Sequence, residues 1–158
     1  MASETEDPKR FSLTFEHLVA WCDRQQYTYR SNVELRQLAI DYTILGQPAP
    51  LLLLPQPDRG MLMLLVRLPV VVPAGRRMAL IDATSQLNGT SYMGTWVVNR
   101  DTGEVLFRVT LPALDNAYSD AGLLHAARVV VGTVERLAAT LKAIAVDGAD
   151  PTAALAAS

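Results

Sequence analysis

The sequence predicts a single α+β domain in which helices pack on a five-stranded antiparallel sheet. From Glu104 to Leu111, every second residue from Val105 onward is apolar, and the residues between them are polar except for Leu106, as in a strand with one buried face. The segment from Leu123 to Ile144 repeats apolar residues at intervals of four and three, as a packed helix does. Short apolar runs elsewhere are separated by Pro, Gly and Asn. Together these patterns predict the order helix, three strands, helix, two strands, helix.

The first helix is predicted to begin near Thr14. From there Phe15, Leu18 and Cys22 recur at helical spacing and form a core-facing stripe. The first strand, residues 38–44, then alternates apolar and polar side chains, which is typical of a strand with one face in water.

The second and third strands do not alternate. Leu51–Leu54 and Met61–Val66 are apolar at every position, so we expect both of their faces to be covered. One explanation is a central strand buried within the domain's own core. The other is that a packed loop, a second subunit or a partner covers the second face.

The second half of the chain is predicted as a helix, a hairpin and a long helix. The second helix runs from about Pro73, a residue favoured in a first helical turn, to Asn88-Gly89, a natural stop. The polar segment from Asn99 to Gly103 predicts the hairpin turn. Ser119 or Asp120 can cap the last helix. Its apolar stripe favours packing on the sheet, with a coiled coil as the alternative.

Length and charge limit the domain organisation and the partners. The chain has 158 residues, a net charge of −2 and one cysteine. We expect a disordered tail over residues 1–10, one domain over 11–146 and a flexible tail over 147–158. The small negative net charge argues against direct nucleic-acid binding. The sequence contains no long uncharged apolar run, so membrane insertion is not predicted. The lone cysteine and the polar start of the chain predict a cytoplasmic protein.

No pattern predicts catalysis. Cys22 and His17 lie about 140° apart on a helix, and with His125 they have no metal-ligand spacing. Asp101-Thr102-Gly103 matches the aspartic-protease tripeptide, but its polar surroundings favour a turn. Asn88-Gly89-Thr90 matches a glycosylation acceptor, and we interpret it as a helix stop. We therefore predict a protein that is not an enzyme and has no cofactor or metal.

Three short motifs resemble a known family. They are Gln86-Leu87-Asn88, Gly94-Thr95-Trp96 and the hairpin from Asp101 to Arg108. They resemble the pattern of the YbjN family, also called bacterial sensory transduction regulators, whose fold is similar to that of type III secretion chaperones. The proline-rich second strand and the very apolar third strand depart from that pattern.

The resemblance implies a bacterial, chaperone- or regulator-like protein that binds another polypeptide, or an extended segment of one, and forms a homodimer. By position, the dimer would use the segments 76–87 and 93–98, with interface residues Met78, Leu80, Ile81, Leu87, Met93 and Trp96. The first helix and the two apolar strands remain for the partner, with contact residues Leu52, Leu54, Leu62 and Leu64.

Two alternatives stay open. A small-molecule sensor would need only an apolar pocket between the sheet and the last helix. The motif residues Gly94 and Trp96 also have a purely structural interpretation. Gly94 would let a helix lie close to the sheet, and Trp96 would fill the space beside it.

Overall fold

The structure, a computed structural model, describes residues 10–12, 14–113 and 117–158. Its centre is a six-stranded antiparallel sheet, which confirms the predicted α+β class. In spatial order the strands are β2 (Tyr29–Asn32), β3 (Gln37–Ile40), β6 (Leu51–Gln56), β7 (Met61–Arg67), β9 (Val105–Pro112) and β8 (Thr95–Val98). Two small antiparallel pairs lie outside it: β1 (Arg10–Ser12) with β10 (Ala117–Ser119), and β4 (Thr43–Ile44) with β5 (Gln47–Pro48).

Within the described residues, four α-helices accompany the sheet: α1 (Phe15–Arg24), α2 (Arg77–Thr90), α3 (Asp120–Ala145) and α4 (Pro151–Ala156). Short 3₁₀ turns at Pro57–Arg59 and Ala74–Arg76 precede β7 and α2. The start of α1 is capped by Thr14, whose side chain accepts a hydrogen bond from the His17 N–H. Ser119 caps α3 in the same way, so both predicted helix starts are confirmed.

The helices pack on one side of the sheet, which we call the inner face. One row of this face, Leu38, Leu53, Leu64 and Val109, is aligned across four strands. The apolar stripe of α3 lies against it and is buried along its whole length. Residues of α1 and α2 complete the same core, so the packing of α3 on its own sheet is confirmed.

The strands differ from the prediction at one edge. The sixth strand, β2, has the sequence Tyr-Arg-Ser-Asn, and only its first residue is partly buried, so no apolar periodicity could reveal it. The predicted strand over residues 38–44 is divided. Its first part is β3, whereas Thr43 and Ile44 turn away through Leu45 and Gly46, both with positive φ, into the β4–β5 pair.

The C-terminal segment also contains structure that the sequence did not predict. Within residues 147–158, expected as a flexible tail, α4 packs on α2 and α3 through Leu155 and Ala154. Arg76 fixes the connection. Its guanidinium donates to the Ile144 carbonyl oxygen at 2.7 and 2.9 Å and to that of Ala149 at 2.8 Å. Residues 1–9 of the predicted N-terminal tail lie outside the described residues, and the domain boundaries stay predictions.

Candidate interaction surfaces

The second side of the sheet, the outer face, is apolar at its centre. A row of paired residues crosses five strands in the order Ala39, Leu52, Leu65, Arg108 and Thr95. Because side chains alternate along a strand, the apolar members of this face are those that alternate with core residues: Ala39, Leu52, Leu54, Met61, Met63, Leu65, Val97 and Leu106.

None of these residues belongs to the core cluster that the helices form with the inner face. Leu65 is nevertheless only 5% exposed, and Leu52, Leu54 and Met63 are half-buried. The buried apolar residues of the described helices all belong to the core on the inner face. The outer face is therefore an apolar surface that no described helix covers.

The charges of the outer face lie mainly at its borders. Arg67 pairs with Glu104 at 2.9 Å, and Arg30 pairs with Asp41 at 3.5 Å. Arg108 lies in the central row between Leu65 and Thr95. It is exposed, and it has no ion pair with the described residues. The centre of the outer face thus carries one cation that no carboxylate of the described ranges neutralises.

The four residues predicted to contact a partner divide between the two faces. Leu52 and Leu54 lie on the outer face, where they retain exposed surface. Leu62 and Leu64 are 0% exposed and belong to the core of the inner face. The prediction is therefore wrong for Leu62 and Leu64 as contact residues of this fold, because the helices of the same chain already cover them.

The six residues predicted for a dimer interface also lie in different places in the structure. Leu87, Met93 and Trp96 line an open groove of about 430 Å³ between the end of α2, β8 and α3. Met78 is exposed on α2, and Ile81 is half-buried there. Leu80 is 0% exposed within the core, which corrects its placement at a surface.

The groove has a rigid wall because Asn88 holds β8 in place. The Trp96 N–H donates to Asn88 Oδ1 at 2.8 Å, and Asn88 Nδ2 donates to the Trp96 carbonyl oxygen at 3.0 Å. The side-chain amide thus makes the two hydrogen bonds that a neighbouring strand would make. The sequence predicts a helix stop at Asn88-Gly89, whereas α2 continues to Thr90. Asn88 therefore lies inside the helix, and the sequence could not reveal that its side chain holds β8.

Gly94 brings the same strand close to the ring of Phe107. Gly94 has a φ of +90°, and a Cβ added there would overlap Phe107 Cζ. The Trp96 ring packs on Phe107 with centroids 5.1 Å apart. The geometry agrees with the packing interpretation of Gly94 and Trp96.

The hairpin motif is likewise a structural element. Asn99 Oδ1 accepts from the backbone N–H groups of Asp101 and Thr102, and Gly103 approaches the Val72 carbonyl oxygen so closely that an added Cβ would overlap it. Arg77 holds the turn by donating to the carbonyl oxygens of Arg100 and Asp101, both at 2.8 Å. Asp101 therefore lies in a turn, as the sequence indicated.

The titratable groups do not form a catalytic arrangement among the described residues. Cys22 is buried, and burial, followed by the charge of Asp23, raises the pKa of its thiol to about 12. The His17 ring lies 2.6 Å from the Thr14 hydroxyl at the start of α1. Within the described ranges, no three His, Cys, Asp or Glu residues could hold a metal ion, and no helix is long and apolar enough to cross a membrane.

No family model matches the sequence, and no curated protein matches it. Among solved structures, the fold is similar to that of YbjN from E. coli, a protein described as a candidate transcription regulator. The TM-score is 0.58 at 11% identity, over 81% of this chain and 89% of that chain. At this identity the similarity shows the fold alone. The chain therefore has a YbjN-like fold.

Proposed function

We propose that this chain is a regulator-like protein-interaction module that acts without catalysis and binds a partner polypeptide on its outer face. The observation that carries the proposal is that Leu52, Leu54 and Met63 retain exposed surface around the buried Leu65. All four lie outside the core, at the centre of a sheet face that no described helix covers. The description of YbjN as a candidate transcription regulator is consistent with such a role.

The size of the outer face supports this role. Six strands spaced about 4.8 Å apart, each about five residues long, give a face of roughly 400 Å². The apolar residues occupy the centre of this area, and exposed apolar patches on single-chain proteins are often functional. A partner segment of about this size would shield the leucine and methionine side chains from water.

The charge of the face indicates the chemistry of the partner. A partner that covered Leu65 would also bring its own surface against Arg108, the next residue in the row. Burying an unpaired arginine is unfavourable, whereas a carboxylate opposite it would make charge-assisted hydrogen bonds. We therefore infer a partner segment that is apolar and carries an acidic residue near its centre.

The absence of catalysis is part of the proposal and is supported by the state of Cys22. A nucleophilic cysteine needs a thiolate at neutral pH, whereas burial raises the pKa of this thiol to about 12. Substitution of His17, His125 or Asp101 should change stability at most.

Site-specific photo-crosslinking tests the partner proposal. A photoreactive residue replaces the exposed Thr110, which pairs with Met63 on the outer face, and in a matched control it replaces the exposed Arg128 on α3. In cells that express the chain naturally, one protein should crosslink from Thr110 and not from Arg128. The purified partner should bind wild type, and Arg108→Glu should weaken binding more than tenfold. Equal crosslinking at both positions, or no effect of Arg108→Glu, would contradict the proposal.

A homodimer through α2 and β8 forms the second part of the proposal. It is supported by the exposed Met78 and by the half-buried Ile81, which lies three residues further along α2 and so next to it on the helix surface. Light scattering should give the mass of two chains at micromolar concentration, and Met78→Arg should reduce it to that of one. Met63→Arg on the outer face should leave the dimer intact. If Met63→Arg alone separates the chains, the outer face is the self-interface and the partner proposal is wrong.

A further inference from the structure

The groove beside Trp96 has the properties of a small-molecule site, and it lies on the opposite side of the sheet from the outer face. Its volume of about 430 Å³ falls within the range of roughly 300–1,000 Å³ that such sites occupy. Its floor is apolar and includes Trp96, Phe107 and Leu137, all of them buried. An inference from this groove goes beyond the protein-interaction role and does not depend on it.

The shape of the groove is fixed before any ligand arrives. The amide of Asn88 holds Trp96 from both of its backbone polar groups, and Phe107 supports the Trp96 ring from below. Close packing at Gly94 prevents the strand from shifting inward. Sites that are already ordered lose little conformational entropy on binding, so the groove is well suited to a small apolar group.

One wall of the groove is a stripe of α3 with a cation at its end. His125, Val129, Thr133 and Arg136 recur at intervals of four, four and three and line the groove together, as residues on one helix face do. The stripe is about 16 Å long at a rise of 1.5 Å per residue. No aspartate or glutamate is among the residues that line the groove. The lining is therefore apolar in its floor and basic on this wall.

Arg136 is the arginine among the residues that line the groove. It is exposed at the end of the stripe, and among the described residues no carboxylate pairs with it. A guanidinium binds a carboxylate through two parallel hydrogen bonds, and the apolar body of the same ligand would lie on the aromatic floor. The hydroxyl of Thr133, one turn away on the stripe, can supply a further hydrogen bond.

From the joint placement of Arg136 and the aromatic floor, we propose that this groove binds a small apolar carboxylic acid, with its carboxylate on Arg136 and its apolar body against Trp96. Neutral and cationic compounds of the same shape bind weakly, because they leave Arg136 without a counter-charge or place a like charge beside it.

The proposal is tested with decanoate, decanol and decyltrimethylammonium, which share an apolar chain and differ in the charge of the head group. Calorimetry with the full chain should show saturable 1:1 binding of decanoate below the concentration at which it self-associates, and at least tenfold weaker binding of the other two. In NMR spectra, decanoate should shift the Trp96 indole signal and amides of residues 87–96 and 125–137, and leave the buried Trp21 indole unshifted.

Variants on α3 separate specific recognition from general apolar binding. Arg136→Gln should weaken decanoate binding at least tenfold, and Arg136→Glu should make decyltrimethylammonium the preferred ligand. Arg128→Gln removes an exposed arginine of the same helix that does not line the groove, and it should leave the affinity unchanged. Equal affinity for decanoate and decanol, no saturable binding, equal loss in Arg136→Gln and Arg128→Gln, or shifts confined to residues 52–65 would each overturn the proposal.

Discussion

Leu64 and Leu65 are neighbours in β7 and are chemically identical, yet they lie in different environments. Leu64 points into the inner face, where α3 covers it, and it belongs to the core of the domain. Leu65 points to the outer face, where only the flanking strands shield it. The comparison shows that burial of a side chain and membership of the core are separate properties. The inner face stabilises the fold, whereas the outer face retains apolar surface that no described helix covers.

Truncation of one leucine on each face should give the largest difference in the free energy of unfolding. Leu64→Ala leaves a cavity under α3 and should lower the free energy of unfolding by about 2–5 kcal/mol. Leu54→Ala on the outer face removes a half-buried side chain with water beside it and should cost less than about 1.5 kcal/mol. Urea denaturation followed by circular dichroism measures both. Equal losses would mean that the outer face is packed as tightly as the core.

Substitutions at two glycines test how tightly the inner side of the sheet is packed. Gly94→Ala places a methyl group against Phe107 at a positive φ, so overpacking should cost about 1–3 kcal/mol and the backbone strain adds to this loss. A methyl group added at Gly89 in α2 would meet no atom within 4 Å, and Gly89→Ala should stabilise the helix by about 0.5–1 kcal/mol. Thermal unfolding of both variants checks the opposite signs. A stabilised Gly94→Ala would contradict the close approach at Phe107.

Asn88 should have a smaller effect that is confined to the edge of the sheet. Asn88→Ala removes both hydrogen bonds to the Trp96 backbone and should lower the free energy of unfolding by about 1–3 kcal/mol. Asn88→Asp keeps the acceptor for the Trp96 N–H and loses the donor, so its loss should be intermediate. Hydrogen exchange at the Trp96 amide should accelerate in Asn88→Ala. Unchanged exchange there would show that the amide does not hold the strand.

The smallest effect concerns thiol chemistry. Because burial raises the pKa of Cys22 to about 12, about one thiol in 10⁴ is ionised at pH 8, and the native protein should react with a disulfide reagent only on unfolding. Leu54→Cys on the outer face, with Cys22→Ala, should react in the native state. Since the folded pKa lies above the ordinary thiol value of 9.0, the thiol's contribution to stability should fall as the pH rises from about 9 to 12. Rapid labelling of native wild type would contradict the burial of Cys22.

The sequence predicts the elements whose side chains have a clear period. In β9, Val105 and Phe107 are buried and Arg108 and Thr110 are exposed, as the alternation indicates. In β7 every position is apolar, so the pattern reveals that both faces avoid water and cannot identify which face the helices cover. For this reason the prediction puts Leu62 and Leu64 on the same surface as Leu52 and Leu54. Of these four residues, only Leu52 and Leu54 lie on the outer face.

The parts that sequence reasoning missed depend on contacts between distant residues. β2 has no apolar period and is ordered by its pairing with β3. The groove forms where α2, β8 and α3 meet. Arg136 can be identified as a lining residue only once these three elements are in place. Arg76 and Arg77 are adjacent in the chain, but Arg76 binds carbonyl groups in the last turn of α3 and just after it, whereas Arg77 binds the β8–β9 turn. No local pattern distinguishes these two roles.

The side-chain amide of Asn88 limits how many copies of the domain can join by strand pairing. Because Asn88 occupies the hydrogen-bonding position at Trp96 on the edge strand β8, a strand from another molecule cannot extend the sheet there without displacing it. The other edge, β2, is four residues long. Two molecules that pair through β2 form a closed unit, in which neither leaves a second free edge for a third. A sheet this rich in leucine is thereby protected from stepwise growth into filaments.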